Sequence, residues 1–164
     1  MRSPIGKKYI LNPFALTDED SESRHQIGVM EWCKVASQYG LELANNTLSY
    51  DIDSYCENNR YLKKSDKFDC LKWIYAVPNG DERKPQVRLR LNHEGVKSGV
   101  EDLALDVPVG QYHGLRIEMK AKNGKQSEKQ KEWQKFHNDN GYKSVVCHSF
   151  NEAVYEIVYY IMGA

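Results

Sequence analysis

The stretch Gly114-Leu115-Arg116-Ile117-Glu118-Met119-Lys120-Ala121 decides the reading of this chain. Leu115, Ile117 and Met119 alternate with Arg116, Glu118 and Lys120, and a period of two marks a half-buried β-strand. Glu118 and Lys120 leave the same face of that strand. Immediately upstream, a second strand is predicted over Asp102–Val107, joined to the first by a loop containing Pro108 and Gly110. If the two are antiparallel neighbours, the carboxylates of Asp102 and Glu118 converge. Two carboxylates that close repel unless a cation lies between them. Oxygen ligands with room left for water suit Mg2+ or Mn2+ rather than zinc. Lys120 would then orient a water, or stabilise charge on a phosphate, during phosphodiester hydrolysis. Taken alone, the same triple also describes surface salt bridges along a strand.

Downstream, Ser127-Glu128-Lys129-Gln130 is a capping-box pattern that opens a helix to about Asn140. A last strand follows over Tyr142–Cys147. Ser149-Phe150-Asn151-Glu152 is a second capping box, and Phe150, Val154, Ile157, Val158 and Ile161 give the helix after it a core-facing stripe. Upstream, a short helix is predicted over Pro85–His93, ended by Gly95. Cys70–Val77 (CLKWIYAV) is rich in β-formers and stops at the turn Pro78-Asn79-Gly80. Leu41–Phe68 is polar and aperiodic, and reads as an insertion with one short helix. The opening helix is predicted over Ser21–Tyr39, with Ile27, Val29, Met30, Trp32 and Ala36 on its apolar side and Gly40 as its stop. Residues 1–16 read as an arm. The order of elements gives a mixed α/β fold, a central β-sheet flanked by helices, in one domain over residues 1–164.

The chain has 164 residues, and its 40% hydrophobic and 11% aromatic content argues against global disorder. No stretch approaches the roughly 18 uncharged apolar residues of a membrane span, and the N-terminus lacks a secretory pattern. Cys33, Cys56, Cys70 and Cys147 show neither CxxC nor Cys/His spacing, so a zinc site is not expected and a reducing cytoplasm is. Lys+Arg and Asp+Glu balance at 23 each, but unevenly. Thr17–Arg60 holds nine acids and three bases, whereas Arg83–Lys143 holds thirteen bases and eight acids. The second stretch therefore offers a local basic field compatible with phosphate binding, or simply a solvated surface. Arg83, Lys84, Arg88 and Arg90, then Lys122, Lys125, Lys129 and Lys135, are the phosphate-contact candidates.

Five further segments occur in order: PNG at Pro78–Gly80, LNHEGVKSGVEDL at Leu91–Leu103, YHGLRIEMKA at Tyr112–Ala121, GKQSEKQKEWQKF at Gly124–Phe136 and GYKSVVCHSFNEA at Gly141–Ala153. This set resembles the virus-type replication-repair nuclease (VRR-Nuc) domain, a branch of the PD-(D/E)xK nuclease superfamily with a restriction-endonuclease-like core. ESRHQIGVMEW at Glu22–Trp32 is similar to the family's opening helix. The resemblance implies a Mg2+- or Mn2+-dependent DNA endonuclease. Asp102 and Glu118 would be metal-binding carboxylates, the Met119 carbonyl a further ligand and Lys120 the catalytic lysine. Glu22 would reach the site from the first helix and Gln130 from the helix after the strands. Single-domain members are similar to phage-encoded enzymes that pair as homodimers and cut branched DNA such as four-way (Holliday) junctions, which implies a bacterial host cytoplasm. No membrane and no small-molecule organic cofactor are expected.

Two departures stand out. Members commonly carry Pro before the metal-binding aspartate, where this chain has Glu101; alternation should turn Glu101 to the opposite face and leave Asp102 on the metal, whereas a bulge that altered register would let Glu101 shift the metal preference or take over as ligand. The other is the length of Leu41–Phe68. Glu101 and the basic stretch also suit a non-catalytic nucleic-acid-binding or assembly protein, which metal would not stabilise. A sequence-specific nuclease of the same superfamily ranks lower, since no base-reading domain is visible. Of the remaining residues, His25 is expected to be a satisfied, partly exposed histidine rather than a phosphate contact, Trp133 and Phe136 to be core rather than base-stacking, and Gln126 to share a helix face with Gln130. His93, His113, His137 and His148 lack metal-ligand spacing.

Overall fold

The computed structural model describes residues 21–46, 66–78 and 85–163. Helix α1 (Glu22–Tyr39) leads into the short α2 (Leu41–Asn46). A 3-10 helix (Asp66–Trp73), strand β1 (Tyr75–Ala76) and helix α3 (Pro85–His93) come next. Strands β2 (Leu103–Leu105) and β3 (Leu115–Met119), helix α4 (Glu128–Asp139), strand β4 (Lys143–Cys147) and helix α5 (Phe150–Ile161) complete the order. The four strands form one sheet in the order β1-β2-β3-β4. β2 and β3 are antiparallel with Leu103 opposite Ile117, as the convergence of Asp102 and Glu118 requires. β3 and β4 are parallel, with Arg116 opposite Ser144 and Glu118 opposite Val146. The expected mixed α/β fold is the observed one. Residues 1–16, the turn residues Asn79 and Gly80, and most of the polar insertion lie outside the described residues.

The odd face of β3 builds the core. Leu115, Ile117 and Met119 join Leu103, Leu105, Trp32, Val35, Phe150 and Ile157 in one buried cluster, which brings α1 and α5 onto that side. Fully burying one such side chain contributes about 1.5–3 kcal/mol. The strand is not half-buried as its alternation suggests: all five residues of β3 are buried. Its even face carries charge, but that charge is covered by α4 and by the start of α1 rather than by water. α1 begins on Ser21, whose side chain accepts from the Arg24 N–H at 3.2 Å. Its apolar side is rotated from the expected one, because Ile27 is exposed and Val35 buried.

Two local expectations fail for physical reasons. Cys70–Trp73 is 3-10 helix, and only Tyr75–Ala76 pair as strand. Phe68, Leu71 and Ile74 are all buried, and a spacing of three matches the three residues per turn of that helix; composition alone had favoured a strand. Within the insertion, α2 packs against α1: Ala44 is buried, and Trp32 Nε1 donates to Asn45 Oδ1 at 2.9 Å. Cys33, Cys70 and Cys147 are free thiols.

Candidate active site

The even face of β3 brings the charged residues together. Glu118 is almost completely buried, and its Oε1 accepts from Lys120 Nζ at 2.8 Å. Gln130 Nε2 donates to the same oxygen. Glu118 Oε2 is buried without a hydrogen-bond partner among the described residues. Burial pushes the Glu118 carboxyl up to about 7; its bond from Lys120 opposes the rise, and the charges of Asp102 and Glu101 add to it. An orphaned, buried carboxylate oxygen costs free energy unless something positive arrives to meet it.

Lys120 follows β3 and is itself buried. Its Nζ reaches Glu22 Oε1 at 3.2 Å on the far side, where α1 begins. Burial alone lowers the pKa of a lysine, but the bond and charge of Glu118 together with Glu22 outweigh it and raise the value. The ammonium is therefore held charged between two carboxylates. Glu22 is half exposed and faces Lys120.

Gln130 is placed by the capping box of α4. Ser127 Oγ accepts from the Gln130 N–H at 3.3 Å, and Gln130 Oε1 accepts from the Ser127 N–H at 2.8 Å. With its amide oxygen fixed in this way, the amide nitrogen is left aimed at Glu118. One local motif thus sets both the start of the helix and a contact in the site. Gln126, expected on the same helix face, precedes the N-cap Ser127 and is not part of the helix.

Asp102 lies at a bend just before β2. Its Oδ2 accepts from the Met119 N–H at 2.8 Å, beyond the last residue pair of the β2–β3 ladder. That bend resets the alternation, so Glu101 does not turn away as expected. Its Oε1 accepts from Ser144 Oγ at 2.5 Å, and Ser144 shares the face of Arg116. His137 Nδ1 of α4 lies 2.9 Å from both Glu101 oxygens. Through Oε1, Glu101 ties α4 and β4 together on the same side of the sheet as Glu118, while its Oε2, like that of Glu118, is buried without a hydrogen-bond partner among the described residues.

Among the described residues no group of three or more His, Cys, Asp or Glu side chains is arranged to hold a metal. Mg2+, however, keeps several waters and binds through one or two carboxylates plus substrate phosphate. Asp102, whose charge acts on Glu118, and Glu118, whose Oε2 is buried without a partner among the described residues, fit that smaller requirement together with the Met119 carbonyl.

The basic candidates divide. Lys122, Lys125 and Lys129 are exposed on the segment from Lys120 to the first turn of α4. Arg90 is exposed and paired with Glu94 at 3.2 Å. Lys135 pairs with Asp139 at 2.5 Å. Arg83 and Lys84, and the side chain of Arg88, lie outside the described residues. His25 is satisfied but buried rather than partly exposed, because its Nδ1 accepts from the Phe150 N–H at 3.1 Å and joins α1 to α5. Sequence reasoning missed His137, whose partner Glu101 is 36 residues away; metal-ligand spacing, the signal sought, does not detect such a pair.

Glu118 on β3 and Lys120 just after it, met by Glu22 and Gln130 from two helices, form one charged cluster on a mixed α/β sheet, and the family match below makes this a nuclease-type domain. The family model for the VRR-NUC domain matches residues 57–151, and the chain belongs to that family. A solved structure described as a VRR_NUC domain protein is similar at a TM-score of 0.57 and 26% identity, over 87% of this chain and 89% of that one. No curated protein matches the chain. No helix among the described residues is long and apolar enough to cross a membrane.

Proposed function

We propose that this protein is a Mg2+- or Mn2+-dependent endonuclease that hydrolyses phosphodiester bonds in DNA, selective for branched structures such as four-way junctions. The observation that carries the proposal is the buried Glu118 Oε2, unpartnered among the described residues, with the charge of Asp102 acting on it and Lys120 2.8 Å from the other oxygen. Asp102, Glu118 and the Met119 carbonyl would hold the ion, which when bound makes water a stronger nucleophile and neutralises charge on the phosphate. Glu118 and Glu22 keep Lys120 protonated, so its ammonium stabilises the charge that develops on the phosphoryl oxygens. Gln130 holds the Glu118 carboxylate in one orientation. Lys122, Lys125 and Lys129 line the approach and contact backbone phosphates, which fix position without reading sequence. A twofold pair of chains would give the two incisions that symmetric junction cutting needs.

The test incubates purified protein with labelled four-way junction and with linear duplex, in Mn2+, Mg2+ or EDTA. Metal-dependent incision, faster on the junction, is expected. No metal-dependent cutting of any DNA would defeat the proposal in favour of a binding protein on the same fold, and equal cutting of both substrates would remove the selectivity alone.

A further inference from the structure

Next to the acidic site, α4 turns a different face to the loop that precedes Glu101. Lys129, Glu132, Trp133 and Phe136 follow one another at helical spacing, and with Lys97 and Ser98 they line a cleft of about 390 Å³. Trp133 and Phe136 meet edge to face, with ring centroids 5.7 Å apart. Phe136 is 53% exposed, so this pair is not the core contact that its sequence suggests. Lys129 Nζ donates to Ser98 Oγ at 3.1 Å across the cleft. The wall is built close. A Cβ on Gly99 would lie 2.8 Å from Lys129 Cβ and 3.2 Å from the Gln130 nitrogen, and Gly99 has a φ of +88°. Only glycine lets the loop approach α4 at this point without strain.

An aromatic pair open to solvent, with two lysines at its rim, has the chemistry of a single-stranded nucleic-acid platform: a base stacks on the ring while ammonium groups hold its phosphate. Lys129 lines the cleft while its neighbour Gln130 donates to Glu118, so cleft and acidic site are joined by adjacent residues of one helix. Glu132 adds a carboxylate that accepts from an amino group on a base edge. We propose that this cleft receives an unstacked nucleotide of the DNA, its base against Trp133 and Phe136 and its phosphate on Lys97 and Lys129. The proposal rests on the nuclease reading above and names the part of the substrate that this face recognises: an unpaired base beside the scissile region.

The experiment measures binding by fluorescence anisotropy in Ca2+, using full-length protein and three labelled DNAs. One is a perfect duplex, one carries a single unpaired base, and the third is identical except that the unpaired nucleotide is abasic. The unpaired base should bind about tenfold tighter than the abasic control. Phe136→Ala, at an exposed position, should remove that preference and leave duplex binding unchanged; Phe136→Trp should restore it. Equal binding of the base and abasic forms by the wild type would overturn the proposal while leaving the nuclease reading intact. A preference that survives Phe136→Ala would overturn the assignment to this cleft. No binding to any of the three DNAs would sink the underlying reading as well.

Discussion

Glu118 and Lys120 are each held by the other. The lysine stays charged in a buried position because two carboxylates lie 2.8 and 3.2 Å away. Lys120→Ala should therefore lower metal-dependent cutting by roughly 10²–10³-fold, the usual loss for one stabilising donor, with an unchanged far-UV circular dichroism spectrum. Normal cutting by this variant would refute the role given to Lys120. Glu118 supplies a pH test in metal-free protein. Its carboxyl is raised above its ordinary value to about 7, so the folded state holds the proton more tightly than the unfolded one. That contribution is complete below the unfolded value and is lost as pH rises through about 7. In EDTA, the melting temperature of the wild type should fall relative to that of Glu118→Gln between pH 5 and pH 8, and parallel profiles would contradict the burial argument. At this scale the sequence was informative where period two applied: the convergence of Asp102, Glu118 and Lys120 was legible from strand spacing, while their proposed roles came from the resemblance. Glu22 and Gln130 became candidates only through resemblance, because their partners lie on other elements. Glu101 was misplaced because alternation was carried through a bend.

Helix α4 and the loop before Glu101 act as one unit around Gln130. Ser127→Ala removes the N-cap and should cost about 1 kcal/mol, read as a lower urea midpoint, and an unchanged midpoint would contradict the capping geometry. Gly99→Ala meets both a positive φ and a contact of 2.8 Å to Lys129 Cβ, so it should destabilise by more than about 1 kcal/mol. The second capping box, at Ser149, differs from the first: Ser149 Oγ accepts from the Glu152 N–H, but Glu152 Oε2 accepts from the His148 N–H, one residue before the cap. Most elements were legible because capping residues and periodicity agree there. The stretch before β1 was not, because its composition favours a strand while its buried residues, Phe68, Leu71 and Ile74, recur every three positions and suit a 3-10 turn.

Across the molecule, the sheet separates two environments. α1 and α5 bury its odd face in an apolar core, and α4 covers a face that carries Glu101, Arg116 and Glu118. Arg116 shows how charge is accommodated there: it donates to Asp106 at 2.6 Å and lies over the Tyr142 ring at 4.5 Å. Pairing of two chains, which the junction-cutting proposal requires, predicts a light-scattering mass twice the chain's 19.0 kDa; a monomer at working concentration would remove the symmetric-incision model. The central claim is that Glu118 and Asp102 share a divalent ion, and anomalous diffraction from crystals soaked in Mn2+ tests it most directly. The account predicts a peak within bonding distance of Glu118 Oε2 and of an Asp102 oxygen. A fully soaked crystal with no peak there, or with manganese bound elsewhere, would contradict it.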